Sequence, residues 1–512
     1  MGGCFSTTSL AAFWVAFWVW VAFLGVVLLW GSVGRLVYKV VLSSNWIILN
    51  LDNTMERGWM RFYNREKELE VLEKAYSRPG ADLVVVSGRR RIGKSRLIDE
   101  FAKDKKTITV LIVPKEERQV AKDLEEEIRV KTGYSPPFRF LKDALEYLFE
   151  QNIDLVCLDE FPNLLVVNQA IPYELQRLWD KHKDSKNLMF IVSGSYAGMM
   201  NRLFAAKKAP LFNRATNTIN VPQLSFSTAV EVLTDFGVIS ASEQASFYCV
   251  FGGVPFYYVL LEKLEDRSFV NAVHSLFFDV GAQLKEEGEN VLRQEFGNAY
   301  AKYYAILEAI SAGYVSMNEI SQKVGVRSTT LTKYMKALQH DFKIVERIVP
   351  FGENPARSKK GLYFIRDNTL AFWFSAVYGK PSAPSKDEYS SFIGRRFEIL
   401  CREFLGAYLT GKGEKVLGTG KWWGPVKVEG KFEPREIDVV LETDKAMYFG
   451  ECKWTEQKMG ERELNWLKES AHAVAGKKKK AVRFVLFSKK GFDISENEEV
   501  LLFDAKRLVQ DS

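Results

Sequence analysis

The chain has 512 residues, 47% of them hydrophobic, with 71 Lys and Arg against 64 Asp and Glu for a net charge of +7. It is too long for one ordinary domain and too apolar for a disordered chain, and its charge is informative only in clusters, at Arg89-Arg90-Arg91, Arg357 to Lys360 and Lys477 to Lys480. Five scattered cysteines without a CxxC pair and four histidines without a close pair argue against a disulfide framework or a zinc site, and fit a reducing interior.

The first predicted element is apolar. Leu10 to Trp30 is an unbroken run of 21 hydrophobic and glycine residues. As a helix it would span about 30 Å, the thickness of a bilayer core. The first basic residues, Arg35 and Lys39, follow it, so the positive-inside rule places the remainder in the cytoplasm. Met1-Gly2 with Ser6 also matches a myristoylation pattern. The competing reading is a start assigned too far upstream, since Met55 and Met60 stand just before the next predicted element. Residues 10–30 are thus either a membrane contact or a translated extension.

Residues 61–80 read as an amphipathic helix closed by Pro79-Gly80. From Asp82 to Ser195, β-rich apolar runs (LVVVS, TITVLIV, IDLVCLDEF, NLMFIVSGS) alternate with helical patterns, which predicts a parallel sheet. Between the first run and its helix stand Gly88, Arg89, Arg90, Arg91, Ile92, Gly93, Lys94 and Ser95. This GxxxxGKS spacing lets the backbone wrap with its N–H groups toward phosphate oxygens. Lys94 would reach the β- and γ-phosphates, and the Ser95 hydroxyl would ligate Mg²⁺. Two carboxylates ending a buried strand, Asp159 and Glu160, are costly without a cation or water. Asp159 is expected to hold Mg²⁺ through water and Glu160 to polarise the attacking water. Ser193-Gly194-Ser195 ends the next strand and could present a hydroxyl to the γ-phosphate, and Arg214 could neutralise charge there. ATP and Mg²⁺ are the ligands this pattern predicts.

FYNREKEL at 62–69, the phosphate loop, LDEF, VSGSYAGMM, LFNRAT and GGVPFYY together resemble the archaeal ATPase family, one of the AAA+-like and STAND-type P-loop ATPases. The resemblance covers roughly residues 61–300. It implies that Asn64 and Arg65 lie near the adenine and that Pro255 packs on the base.

Residues 299–378 have the pattern of a winged helix. Tyr304, Ile306, Leu307 and Ile310 make one apolar face, and Ser316 to Glu319 is a capping box. A third helix turns Leu331, Tyr334, Met335 and Leu338 inward and Arg327, Thr330, Lys333 and Lys336 outward. Two strands then flank a basic segment with Arg357, Lys359 and Lys360. Such a surface suits nucleic acid, DNA above all. An alternative is a module that only packs as a lid or couples domains.

Beyond a Pro- and Ser-rich linker at 379–386, two β-rich runs carry Asp438 and then Glu451 and Lys453, with Glu398 on a preceding helix. Strand alternation puts Glu451 and Lys453 on one face. Carboxylates and a lysine gathered this way suit a divalent metal and an activated water for phosphodiester cleavage. The pattern resembles the PD-(D/E)xK nuclease superfamily, although Pro434 precedes Asp438 by four residues rather than one. The expected roles are metal ligands at Glu398, Asp438 and Glu451, with Lys453 catalytic.

The expected architecture is α/β multidomain. It comprises an apolar segment (1–60), a P-loop ATPase core on a parallel sheet (61–220), a helical lid (221–298), a winged helix (299–378) and an α/β nuclease-like domain (387–512). The chain is expected to engage nucleic acid, with self-association as a second partnership. A STAND-type switch acting through protein partners is the alternative.

Overall fold

The computed structural model describes residues 61–512, apart from 152, 185–186, 196, 201–202, 205, 297–299, 429 and 476–479, together with three strands before residue 61. Met1–Arg61 and Phe62–Ser512 are separate units. In the first unit β1 (Val26–Trp30) pairs antiparallel with β2 (Leu36–Leu42), which pairs with β3 (Asn45–Ile48). The expected helix therefore does not reach Trp30: β-branched Val26 and Val27 and aromatic Trp30 favour the extended chain. Residues 10–25 of that segment lie outside the described residues. Among the described residues no helix is long and apolar enough to cross a membrane.

The second unit begins with the helix Glu66–Tyr76 and a five-stranded parallel sheet. Its strands are β4 (Asp82–Ser87), β5 (Thr107–Leu111), β6 (Leu155–Asp159), β7 (Met189–Gly194) and β8 (Asn217–Asn220), in the order β5-β6-β7-β4-β8. Leu83, Val84, Val85 and Val86 are consecutive and all buried, as a strand covered on both faces requires. Helices Lys94–Ala102, Glu117–Thr132, Leu141–Glu150 and Ile171–His182 supply the apolar faces that cover it. Because β7 lies between β4 and β6, the segments following β4, β7 and β6 emerge side by side at one edge.

Five helices follow: Phe226–Asp235, Ala241–Phe251, Pro255–Glu262, Phe269–Phe277 and Glu287–Phe296. Gly253 allows a close approach to the segment that leaves β8. A Cβ there would lie 1.9 Å from the Leu224 carbonyl oxygen, and the Gly253 carbonyl accepts from Leu224 N–H at 2.7 Å.

Helices Tyr300–Ser311, Met317–Val324 and Ser328–Lys336 precede the antiparallel pair β9 (Val345–Ile348) and β10 (Leu362–Ile365). Ser316 and Glu319 make the reciprocal capping bonds. In the third helix Leu331, Met335 and Leu338 are buried, while Arg327, Thr330, Lys333 and Lys336 are exposed.

The last part is a mixed sheet. β11 (Val416–Val428), β12 (Lys431–Thr443) and β13 (Ala446–Lys453) form an antiparallel meander, and β14 (Ala481–Ser488) and β15 (Val500–Asp504) continue in parallel from β13. The 26-residue helix Lys386–Gly411 and the helix Glu461–Ala475 pack on this sheet. Ser385, at the end of the expected linker, caps the long helix through a reciprocal bond pair with Glu388. Ala241–Phe251 packs against both Lys386–Gly411 and the terminal helix Ala505–Gln510. The second unit thus holds its C-terminal sheet against the helices that follow the parallel sheet.

Candidate active sites

The phosphate loop turns on two left-handed residues, Arg91 (φ 66°) and Gly93 (φ 90°). Glycine adopts the second conformation without the Cβ clash that penalises other residues. The loop delivers Lys94 into the first turn of its helix. There the buried Lys94 Nζ donates to Ser195 Oγ at 2.7 Å and to the carbonyls of Gly88 and Arg89 at 3.3 and 3.4 Å. Ser195 Oγ in turn donates to Glu160 Oε1 at 2.6 Å. In a parallel row, Ser95 Oγ donates to Asp159 Oδ2 at 2.6 Å, and Ser193 Oγ donates to Asp159 Oδ1. Glu160 itself holds a left-handed backbone (φ 51°), the kind of local strain that a well-packed surrounding maintains at functional positions.

These atoms fit a magnesium nucleotide. Ser95 and Asp159 offer only hard oxygen donors, which suits Mg²⁺, and Lys94 stands where it can exchange a hydroxyl and two carbonyls for phosphate oxygens. ATP, when bound, supplies the γ-phosphoryl group. The loop and Lys94 are the groups that would orient it, and Ser195 Oγ stands between Lys94 Nζ and Glu160 Oε1.

Two of the loop's arginines pair with acids from other elements. Arg89 forms an ion pair with Asp367, just beyond β10, and donates to Tyr257 Oη at 3.2 Å. Arg91 pairs with Glu287 and lies 4.1 Å from the centroid of the Phe256 ring. Tyr257 Oη donates to Glu287 Oε1 at 2.8 Å and closes the network. Burial pushes the Glu287 carboxyl up, and Arg91 opposes it. Arg90, with Arg89 and Arg91, lines a cavity of about 620 Å³ that extends past Asp367 to Arg396. Sequence reasoning passes over Asp367 and Glu287, because no local pattern marks an acid whose partner is distant in the chain. The one available signal was the surplus of arginine in the loop.

Arg65 lies beneath the loop, with Nη2 donating to the Ile92 carbonyl at 3.4 Å, and Asn64 Nδ2 donates to Thr228 Oγ1 at 3.1 Å. Pro255 starts its helix, and its Cγ would be 4.0 Å from a Cβ at Gly93. Arg214 requires a correction. It precedes β8, so it sits at the edge of the sheet opposite the phosphate loop, held by Asp180 at 2.8 Å and by the Pro210 and Phe212 carbonyls. The intervening strand spans roughly 13 Å, too far for Arg214 to meet a phosphate in its own chain.

In the C-terminal sheet, β12 pairs with β13 only from Val439↔Gly450 onward, so Asp438 and Glu451 are the first residues where the two strands part. β11 and β12 are also out of step there. Gly420 pairs with Val440 and Trp422 with Ile437, which sets Asp438 and Val439 opposite the single residue Lys421. Such a bulge re-aims side chains. Asp438 Oδ2 accepts from the Cys452 N–H at 3.0 Å, and Lys453 Nζ donates to Glu451 Oε1 at 2.6 Å. Burial, and then the Asp438 charge, push the Glu451 carboxyl up to about 7. Burial also raises Asp438 and Glu398.

The expected metal centre is corrected in one respect. Among the described residues no group of three His, Cys, Asp or Glu side chains is drawn together tightly enough to hold a metal ion. Lys421 Nζ stands among the carboxylates instead, donating to Glu398 Oε2 at 2.8 Å, pairing with Glu436 and lying 3.8 Å from Asp438 Oδ1. The donor set nevertheless suits a hard cation, and the buried Glu451 Oε2 has no hydrogen-bond partner. Cys157, Cys249, Cys401 and Cys452 are buried free thiols.

Comparisons with known proteins match two segments of the chain. Residues 62–261 match an ATPase domain found predominantly in Archaea, and residues 380–465 match a domain of unknown function found in archaeal and bacterial proteins. An uncharacterized protein of Methanocaldococcus jannaschii is 29% identical over 467 residues, covering 86% of this chain and 99% of the relative. An uncharacterized ATP-binding protein of the same organism is 45% identical over 49 residues, 10% of this chain and 83% of that protein. Among solved structures, a Walker-type ATPase of Pyrococcus abyssi is 19% identical with a TM-score of 0.48, covering 62% of this chain and 99% of that one. The ORC2 protein of Aeropyrum pernix, in ADPNP–ADP complexes, is 14% identical with a TM-score of 0.43, covering 68% and 97%. With its phosphate loop, its paired carboxylates and an ATPase-domain match over residues 62–261, the chain is a P-loop ATPase.

Proposed function

We propose that ATP binding and turnover control how this chain engages nucleic acid, and that the C-terminal site acts on phosphodiester bonds. The observation that carries this reading is the ion pair between Arg89 and Asp367. It ties a residue of the phosphate loop to the end of β10, so a change at the phosphates bears directly on the three-helix and hairpin module. That module has the layout of a winged helix. Its third helix exposes Arg327, Lys333 and Lys336, and its hairpin exposes Arg357, Lys359 and Lys360. These are phosphate-contacting cations that confer affinity without sequence preference. At the C-terminal site Asp438, Glu451 and Glu398 are the candidate ligands of a divalent ion, and Lys453 is the candidate for holding or moving a proton near the attacked phosphorus. The ion, when bound, would supply charge neutralisation. A test is ATP turnover with and without duplex DNA: stimulation by DNA supports the reading, and identical rates contradict it.

A second reading is a STAND-type switch that acts through protein partners. It is favoured by Lys421, which neutralises the C-terminal acids from within the chain. Nucleotide-gated self-association indifferent to DNA would select this reading.

A further inference from the structure

Lys421 is unusually placed for a lysine on a sheet strand. It is the single residue opposite the bulged pair Asp438-Val439, and three carboxylates, from Glu398, Glu436 and Asp438, surround its ammonium. Beside the cluster, Glu451 is 6% exposed and its Oε2 has no hydrogen-bond partner. Asp438 is the charge that acts most strongly on it. Two ammoniums, Lys421 and Lys453, thus face the four carboxylates of Glu398, Glu436, Asp438 and Glu451, and Glu451 Oε2 is left without a partner.

What fixes Lys421 comes from another module. Its carbonyl accepts a hydrogen bond from the Phe351 N–H at 2.8 Å. Phe351 follows β9 and opens the hairpin segment that carries Arg357, Lys359 and Lys360. Its ring lies against β11 just before the bulge, so close that a Cβ at Gly420 would be 3.3 Å away and one at Gly418 3.5 Å away. Gly418 and Gly420, two residues apart, thus admit the ring, and the ring and its backbone N–H set the register of the strand at Lys421.

We propose that Lys421 is a built-in cation that occupies the divalent-metal position of the C-terminal site, and that the hairpin holds it there until a nucleic-acid backbone draws the hairpin away. This inference rests on the reading of the C-terminal acids as a metal site and adds its regulation. The exposed arginine and lysines of the hairpin are the groups a phosphate backbone would pull on. Movement of Phe351 would release the β11 bulge, so that Lys421 could leave and Mg²⁺ or Mn²⁺ could enter among Glu398, Asp438 and Glu451. The arrangement prevents cleavage chemistry away from a nucleic acid.

The test is Mn²⁺ binding to the full chain, followed by electron paramagnetic resonance in the absence of nucleotide. Lys421→Met should bind one more Mn²⁺ than the parent, at least tenfold tighter than any parental site, and Asp438→Asn in that background should remove it. Phe351→Ala should move in the same direction. Addition of duplex DNA to the unaltered protein should also yield one further Mn²⁺, which covers the case in which Lys421→Met does not fold. The proposal is overturned if DNA adds no ion, or if the parent already holds Mn²⁺ in a manner that Asp438→Asn abolishes. The two readings fail separately. Asp438-dependent Mn²⁺ binding in Lys421→Met without any DNA cleavage would sink the nuclease assignment alone. Cleavage by the parent at a metal affinity equal to that of Lys421→Met would sink the role of Lys421 alone.

Discussion

Arg89 in the phosphate loop forms an ion pair with Asp367, a buried residue that also caps the helix Asn368–Phe372 through Oδ1, 2.8 Å from the Leu370 N–H. The Asp367 carbonyl accepts from Arg396 Nη2 at 3.4 Å, and the Ile365 carbonyl accepts from the same nitrogen at 2.7 Å. Arg396 is buried on Lys386–Gly411, the helix that also carries Glu398. One acid thus touches the phosphate loop, the hairpin module and the C-terminal helix. Asp367→Asn keeps a good capping side chain but removes the charge, leaving the desolvated Arg89 with Tyr257 and the Glu287 charge in place of its ion pair. We expect a loss of about 2–4 kcal/mol in urea unfolding. The double variant with Arg89→Met should lose less than the sum of the two single changes, because both remove one interaction.

In the nucleotide site the side chains divide by role. Lys94→Ala should abolish nucleotide binding, since it removes the cation inside the loop. Glu160→Gln should bind ATP with unchanged affinity and fail to hydrolyse it, because an amide cannot serve as a base. Ser195→Ala tests the positioning contact. Binding should remain within about threefold while turnover falls by roughly 10- to 100-fold, as Glu160 loses its 2.6 Å partner. Filter binding and single-turnover hydrolysis separate the two effects. An unchanged rate in Ser195→Ala would contradict the role given to that hydroxyl.

Arg214 gives the opposite expectation. Its pair with Asp180 is half-exposed and at the far edge of the sheet, so Arg214→Ala should cost no more than about 1 kcal/mol. ATP turnover in dilute solution should be unchanged. A loss of turnover at limiting dilution would restore Arg214 to this chain's own active site.

The alternation of apolar β-runs with helices, and the GxxxxGKS spacing, made the parallel sheet and its phosphate loop legible, because both signals are local. Ser316-Glu319 and the inward set Leu331, Met335 and Leu338 were legible for the same reason. Arg214 was misplaced because sequence order gives no information about which edge of a sheet a residue occupies. The C-terminal acids were legible as residues but not as a site. The bulge at Asp438-Val439 and the insertion of Lys421 depend on strand register and on Phe351 from another module. Val26–Trp30 forms a strand where hydropathy alone suggested a helix, a known ambiguity of short β-branched runs.

Glu451 predicts a pH dependence. Burial and the neighbouring Asp438 raise its carboxyl from 4.5 to about 7. The folded chain therefore holds this proton more tightly than the unfolded chain. The associated stability is fully present below about pH 4.5 and is lost as pH rises through about 7. A shift of this size corresponds to roughly 3 kcal/mol as an upper bound. In EDTA, Glu451→Gln should flatten the stability profile between about pH 5 and pH 8, and at the upper end it should be more stable than the parent by about 1–3 kcal/mol. A variant that follows the parental profile would show that Glu451 does not titrate in this range.

The most direct test of nucleotide control over nucleic-acid engagement is fluorescence anisotropy of a labelled duplex DNA with the Glu160→Gln protein, at fixed salt, with and without MgATP. We expect at least a tenfold difference in Kd between the two conditions, and loss of that difference in Asp367→Asn. We also expect a weaker salt dependence, lower by about two in log–log slope, when Lys333 and Lys336 are replaced by Ala. Equal affinity in the presence and absence of MgATP, or no binding in either, would contradict nucleotide control.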